Sequence, residues 1–220
     1  MTSPTRPLPS LPAALAIIVV ALVTGVALGI VAAGDGLVAG DVSIAQAVQR
    51  MDGDLASTLA NIGNVLGSTL GAAVVIVLAL GVALFLRARP EAIFLAALLV
   101  LRLIGTQLKP LFNSPRPTED LVLITGVHDG TGYPSGHSLT AATLALGLAV
   151  LAWRHIPSRA LAIATIAVLV LLGLLIGWAR IWSGAHWPSD VIGGYAFGVT
   201  AVGIGVVVLN RQIAAQCSRT

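Results

Sequence analysis

The sequence predicts an all-α membrane protein: a bundle of six transmembrane helices with both termini cytoplasmic. Three observations predict it. Of 220 residues, 57% are hydrophobic and only 10% are charged, with a mean hydropathy of +0.97, whereas soluble chains carry about 25% charge. Six apolar runs approach the roughly 20 residues that cross a bilayer. Their connectors alternate between basic and acidic. This composition excludes an ordinary soluble enzyme, a disordered tail and a disulfide scaffold, because the single cysteine, Cys217, has no internal partner. The basic residues are scattered, so no nucleic-acid surface is expected.

The elements follow in order. Residues 11–33 form the first span. It follows a short head with Arg6, and its apolar run of about 22 residues exceeds the about 7–15 of a signal-peptide core, so an uncleaved span is expected. In the next loop, Ile44, Val48, Met51, Leu55 and Leu59 recur at helical spacing. They predict one amphipathic helix started by Asp41 or Ser43, lying on the outer membrane surface or packed as a connector. The remaining spans are 63–86, 92–108, 138–153, 160–181 and 191–209. The pairs Gly67 and Gly71, Gly173 and Gly177, and Gly194 and Gly198 suit close helix packing. With no repeat and no soluble insertion, one domain over 1–220 is expected, its motif-bearing core lying within 60–210.

Charge orients the bundle. Arg6, Arg87, Arg89, Arg154, Arg159, Arg211 and Arg219 share one side with a single acid, Glu91. The other side holds Asp35, Asp41, Asp52, Asp54, Glu119, Asp120, Asp129 and Asp190, with Arg50, Lys109, Arg116 and Arg180. Short basic loops stay cytoplasmic, which turns the acidic side outward.

Three outer segments concentrate polar chemistry. They run from Lys109 to Pro117, from Tyr133 to Ser138, and from Arg180 to Asp190. Converged, they set the cations Lys109, Arg116 and Arg180 against one carboxylate, Asp190. Such a set suits a phosphate group. Ser135 and Gly136 precede an apolar helix whose free N–H groups favour an anion, and Pro188 is positioned to start the last helix. His186 and His137 add a nucleophile and a proton donor, with Asp190 four residues from His186 to orient its ring. A metal on His137, His186 and Asp190 would face repulsion from three cations, so no metal and no other cofactor is expected.

These segments resemble the type-2 phosphatidic acid phosphatase family. Its motifs read here as Lys109 with Arg116-Pro117, Pro134-Ser135-Gly136-His137, and Arg180 with His186 and Asp190. The resemblance covers about residues 40–210 and departs at Ala179, where the family usually has Ser. It implies a six-span lipid phosphatase with an outward active site. His186 would attack phosphorus and form a phosphohistidine, Asp190 would orient it, and His137 would protonate the leaving lipid oxygen. Lys109, Arg116, Ser135, Gly136 and Arg180 would hold the phosphate. The expected partners are the lipid bilayer and a lipid phosphate: phosphatidic acid, phosphatidylglycerophosphate or a polyprenyl diphosphate such as undecaprenyl diphosphate. A phosphotransferase and a non-catalytic lipid-binding or transport protein are the alternatives.

Three features stand beside the motifs. Arg102 lies seven residues before Lys109, on almost the same helix face and deeper in the span; it contacts a second polar group of the substrate, or pairs across the bundle. His128 and Asp129 sit in a loop over the site that selects headgroups or merely covers it. Trp153, Trp178, Trp182 and Trp187 suit interfacial belts, with Trp187 beside the nucleophile.

Overall fold

The computed structural model describes residues 6–34, 36–126 and 128–218; Asp35 and Arg219, which entered the charge assignment, lie outside them. The described residues contain helices and no strand. α1 (Leu11–Ala32) leads into α2 (Asp41–Gln49) and α3 (Asp54–Gly67). α4 (Thr69–Phe85), α5 (Arg89–Thr106) and the single turn α6 (Lys109–Phe112) follow. α7 (Gly136–His155), α8 (Arg159–Trp182) and α9 (Pro188–Cys217) complete the order. Among the described residues, five elements are long and apolar enough to cross a membrane, or six if the bent pair α3–α4 is one span.

Two expectations change. Residues 63–86 are not one straight helix: α3 and α4 meet at 57°, where the Ser68 hydroxyl accepts from Gly71 N at 3.1 Å and restarts the helix. The amphipathic stretch is also two helices rather than one. Gly53, at φ 96°, breaks it, and left-handed φ is a conformation glycine adopts without steric cost. Neither Asp41 nor Ser43 is the cap; that position is Gly40, and the Asp41 carboxylate is used elsewhere.

The bundle is built on small residues. A Cβ on Gly194 would lie 2.5 Å from Ser135 O, and one on Gly198 2.5 Å from Ala142 Cβ, so this pair lets α9 lie against α7. Gly63 meets Ala179 and Gly67 meets Ile176 in the same way, seating α3 on α8. Large apolar side chains such as Val20, Val77, Phe85 and Leu171 remain exposed around the outside, as a lipid-facing surface requires.

Charge at the two ends of α7 differs. At its C-terminal end, Glu91 Oε1 meets His155 Nε2 at 3.0 Å and Arg154 Nη2 at 3.6 Å. Arg6 joins this end, donating to Trp153 O and Pro157 O and lying 4.7 Å from the Trp153 ring centroid. The other end of α7 carries the motif residues.

Candidate active site

The turn between α8 and α9 presents His186. Its backbone N–H and that of Ala185 both donate to Arg180 O, folding the turn back on the helix end. Gly184 makes this possible: its φ is +67°, and a Cβ there would lie 2.1 Å from Leu123 O. His186 is buried. Its Nδ1 lies 3.2 Å from Asp190 Oδ2, the same oxygen that accepts from Trp187 N at 3.1 Å. Asp190 is thus fixed by the first turn of α9, which Pro188 begins as expected. The arrangement holds one ring nitrogen and leaves Nε2 for chemistry.

Nε2 faces Arg116. Arg116 Nη1 lies 3.4 Å from it and donates to Ala185 O at 2.6 Å. Nε and Nη2 donate to Gly130 O and Asp129 O, both at 2.9 Å. The loop over the site therefore holds Arg116 through its carbonyls, a role that neither headgroup selection nor simple covering anticipated. Lys109 Nζ donates to Thr131 O at 2.7 Å, bringing the lysine to the same loop. Arg180 reaches in from α8 and is oriented by Asn64 Oδ1 at 2.7 Å.

Burial pushes the His186 pKa well below 6.5, and the neighbouring Arg116, Lys109, Arg180 and His137 push it the same way. The ring is therefore neutral at neutral pH, the state a nucleophile requires. His137 stands in the first turn of α7, half-buried, with Gly67 beneath it. Beyond its chain neighbours and the backbone of its own helix, no atom of the described residues lies within 4 Å of a Cβ built on Gly136, so the N-terminus of α7 opens onto free space. Ser135 caps α7, and its hydroxyl accepts from Ser138 Oγ at 3.0 Å; its backbone N–H donates to Asp190 O at 3.0 Å. All three motif segments converge. Arg102 stands apart, with Nε donating to Thr140 Oγ1 at 2.9 Å.

Sequence reasoning missed three contributors. Asp41, read only as an outward charge or a cap, accepts from Ser189 N at 2.9 Å and Ser189 Oγ at 2.7 Å, clamping the first turn of α9. Asn64 carried no recognisable signal. Gly132 is required by close approach, since a Cβ there would lie 2.9 Å from Asp190 Oδ2. Trp187 is not in an interfacial belt: it is 2% exposed and packs with Ala45 and Val122. Asp41→Ala leaves two buried donors of Ser189 without an acceptor, so thermal unfolding in detergent is expected to show a loss of about 1–3 kcal/mol.

Comparison with known proteins adds a context to this geometry. The sequence profile of the PAP2 superfamily matches residues 65–214. An undecaprenyl-diphosphatase of Sulfolobus acidocaldarius is 31% identical over 101 residues, covering 45% of this chain and 42% of that one. A phosphatidylglycerophosphatase B of Bacillus subtilis is 29% identical over 75 residues, covering 33% and 37%. The chain thus aligns with about two fifths of the length of the curated relatives it matches. The fold is similar to that of a crystallised transmembrane PAP2 type phosphatidylglycerolphosphate phosphatase from Bacillus subtilis. The TM-score is 0.72 at 20% identity, over 88% of this chain and 94% of the other.

Proposed function

This chain belongs to the PAP2 superfamily, and we propose that it is a membrane lipid phosphatase acting through a phosphohistidine on His186. The observation that carries the reading is the pairing of His186 Nδ1 with Asp190 Oδ2 while Nε2 faces Arg116. Neutral Nε2 attacks phosphorus, and Asp190 stabilises the imidazolium that results. Arg116, Lys109, Arg180, Ser135 and the Gly136 N–H gather the three phosphoryl oxygens and their charge. His137 gives its proton to the departing lipid oxygen. In the second half, His137 takes a proton from water, whose oxygen attacks the phosphohistidine and releases inorganic phosphate and His186.

The same reading is metal-independent, because the cation cluster that suits phosphate repels a divalent ion. It treats the chain as one domain and the α3–α4 pair as one of six spans. The basic end is placed in the cytoplasm by the positive-inside rule and the site on the extracytoplasmic face. The substrate is a lipid phosphomonoester or diphosphate, in keeping with the names of the relatives. A panel of phosphatidic acid, phosphatidylglycerophosphate and undecaprenyl diphosphate, presented in detergent with and without EDTA, tests this reading. Phosphate release that survives EDTA is expected. No release from any lipid defeats the assignment, and loss with EDTA defeats the metal-free mechanism.

The low pKa of His186 gives a further expectation. A lowered pKa keeps the ring neutral as pH falls past 6.5, so the nucleophile survives there. The acid limb of kcat/KM, corrected for ionisation of the substrate, falls below pH 6.5. The unfolded chain takes up that proton first, so stability is complete above pH 6.5 and declines as pH falls toward the lowered value.

A further inference from the structure

Arg102 is a buried cation that the mechanism does not use and that, unlike Arg154, meets no carboxylate among the described residues. It sits in α5 and is 9% exposed. A charge so placed within a span is expensive, and such residues mark substrate paths. Only Nε is engaged, with Thr140 Oγ1. Thr140 in turn donates to Gly136 O at 2.8 Å, so this contact is tied to the helix end that would receive the reacting phosphate. The two terminal nitrogens, the fork that grips phosphate, make no hydrogen bond among the described residues.

The depth of this contact is informative. Thr140 lies three residues beyond His137 along α7, about 5 Å further from the helix start. Thr140 also lines an apolar cleft with Leu66, Val75, Leu144, Leu172 and Ile176. Ile176 and His137 both adjoin Gly67, so the cleft runs up to the proposed proton donor. Inward from the start of α7 there is the phosphate-binding cluster, then, at the level of Thr140, the guanidinium and the mouth of an apolar cleft that continues to Leu148. A lipid whose reacting phosphate is joined to its chain through a second phosphate has the same order of groups.

We infer that Arg102, steadied by Thr140, binds the second, chain-side phosphoryl group of a two-phosphate lipid and so favours such lipids over monophosphates. This rests on the phosphatase reading and deepens it. In a lipid monophosphate the corresponding position holds carbon or ester oxygen, and the guanidinium stays uncompensated. The group bound is the inner phosphate of a prenyl diphosphate or the diester phosphate of phosphatidylglycerophosphate.

The test uses two pairs matched in chain: a prenyl diphosphate against its monophosphate, and phosphatidylglycerophosphate against phosphatidic acid. For Arg102→Leu, the ratio of kcat/KM within a pair falls about tenfold or more against wild type, as loss of a charged hydrogen bond implies. Which pair shows the fall identifies the source of the second phosphate. Should Arg102→Leu not accumulate as folded protein, Arg102→Lys and Thr140→Val carry the same comparison with smaller falls. An unchanged ratio in both pairs, including equal losses on both members, overturns the second-phosphate site and leaves the phosphatase reading standing. A wild type that releases phosphate from none of the four lipids overturns both.

Discussion

His186→Ala is expected to stop phosphate release from every lipid that the wild type accepts, by about ten-thousand-fold or more. The basis is that, of the two histidines in the motif cluster, only His186 meets an orienting carboxylate among the described residues; His155 is also held by a carboxylate, Glu91, but at the other end of α7. Among the described residues the His137 ring makes no hydrogen bond, while His186 is held by Asp190 at 3.2 Å. Because His186 is buried, truncation also leaves a void, so His186→Gln, which fills the site, accompanies it. Both variants are expected to melt cooperatively in detergent and to lack turnover. Acid-labile, alkali-stable label from a phosphorus-32 lipid should attach to wild-type protein and to neither variant. Label on His186→Ala, or turnover near wild type, would reassign the nucleophile. Asp190→Asn keeps the volume and an acceptor for Trp187 N but withdraws the charge that stabilises the imidazolium, and a loss of roughly a thousandfold or more follows.

What the sequence made legible was long-range in number but local in signal. Four of the six expected spans fall on helices close to the expected limits and a fifth on α9, which runs on past 209 to Cys217, because about 20 apolar residues have few other solutions in a membrane. The motif cluster was legible for a similar reason: Pro-Ser-Gly-His and His186-x-x-x-Asp190 each carry their geometry within one helical turn. What was missed depends on contacts between distant segments. The break at Gly53 and the bend at Ser68 are set by φ and by packing against α8, and an apolar run with a Ser inside it reads the same whether straight or bent. Asp41 and Ser189 lie 148 residues apart, and nothing in a single sequence pairs them. Asn64 and Arg180 are separated by 116. Ala179, where a Ser was expected, lies fully buried against Gly63. The adjoining Asn64 accepts, through Oδ1, the hydrogen bond that Arg180 Nη1 donates.

Arg116→Ala is expected to produce the second-largest loss, about a thousandfold in kcat/KM. Two effects combine. The guanidinium lies 3.4 Å from His186 Nε2, so it faces the position where charge would build in the proposed transfer of phosphorus from the lipid oxygen to the ring. The same group also donates to Ala185 O, Asp129 O and Gly130 O, and removing it frees the loop from the turn that carries His186. Arg116→Lys separates the two. It restores a cation but cannot reproduce three donors in a planar fork. If charge is the larger part, the lysine variant recovers most of the rate; if the fork is, the lysine variant resembles alanine and hydrogen exchange around residues 128–131 rises in both. Lys109 and Arg180 are the other cations on the same charge, yet among the described residues neither side chain hydrogen-bonds the His186 ring. Each is therefore expected to lose less on truncation than Arg116. A rate for Arg116→Ala within tenfold of wild type would show that the phosphate is held by the other two and would remove Arg116 from the reacting centre.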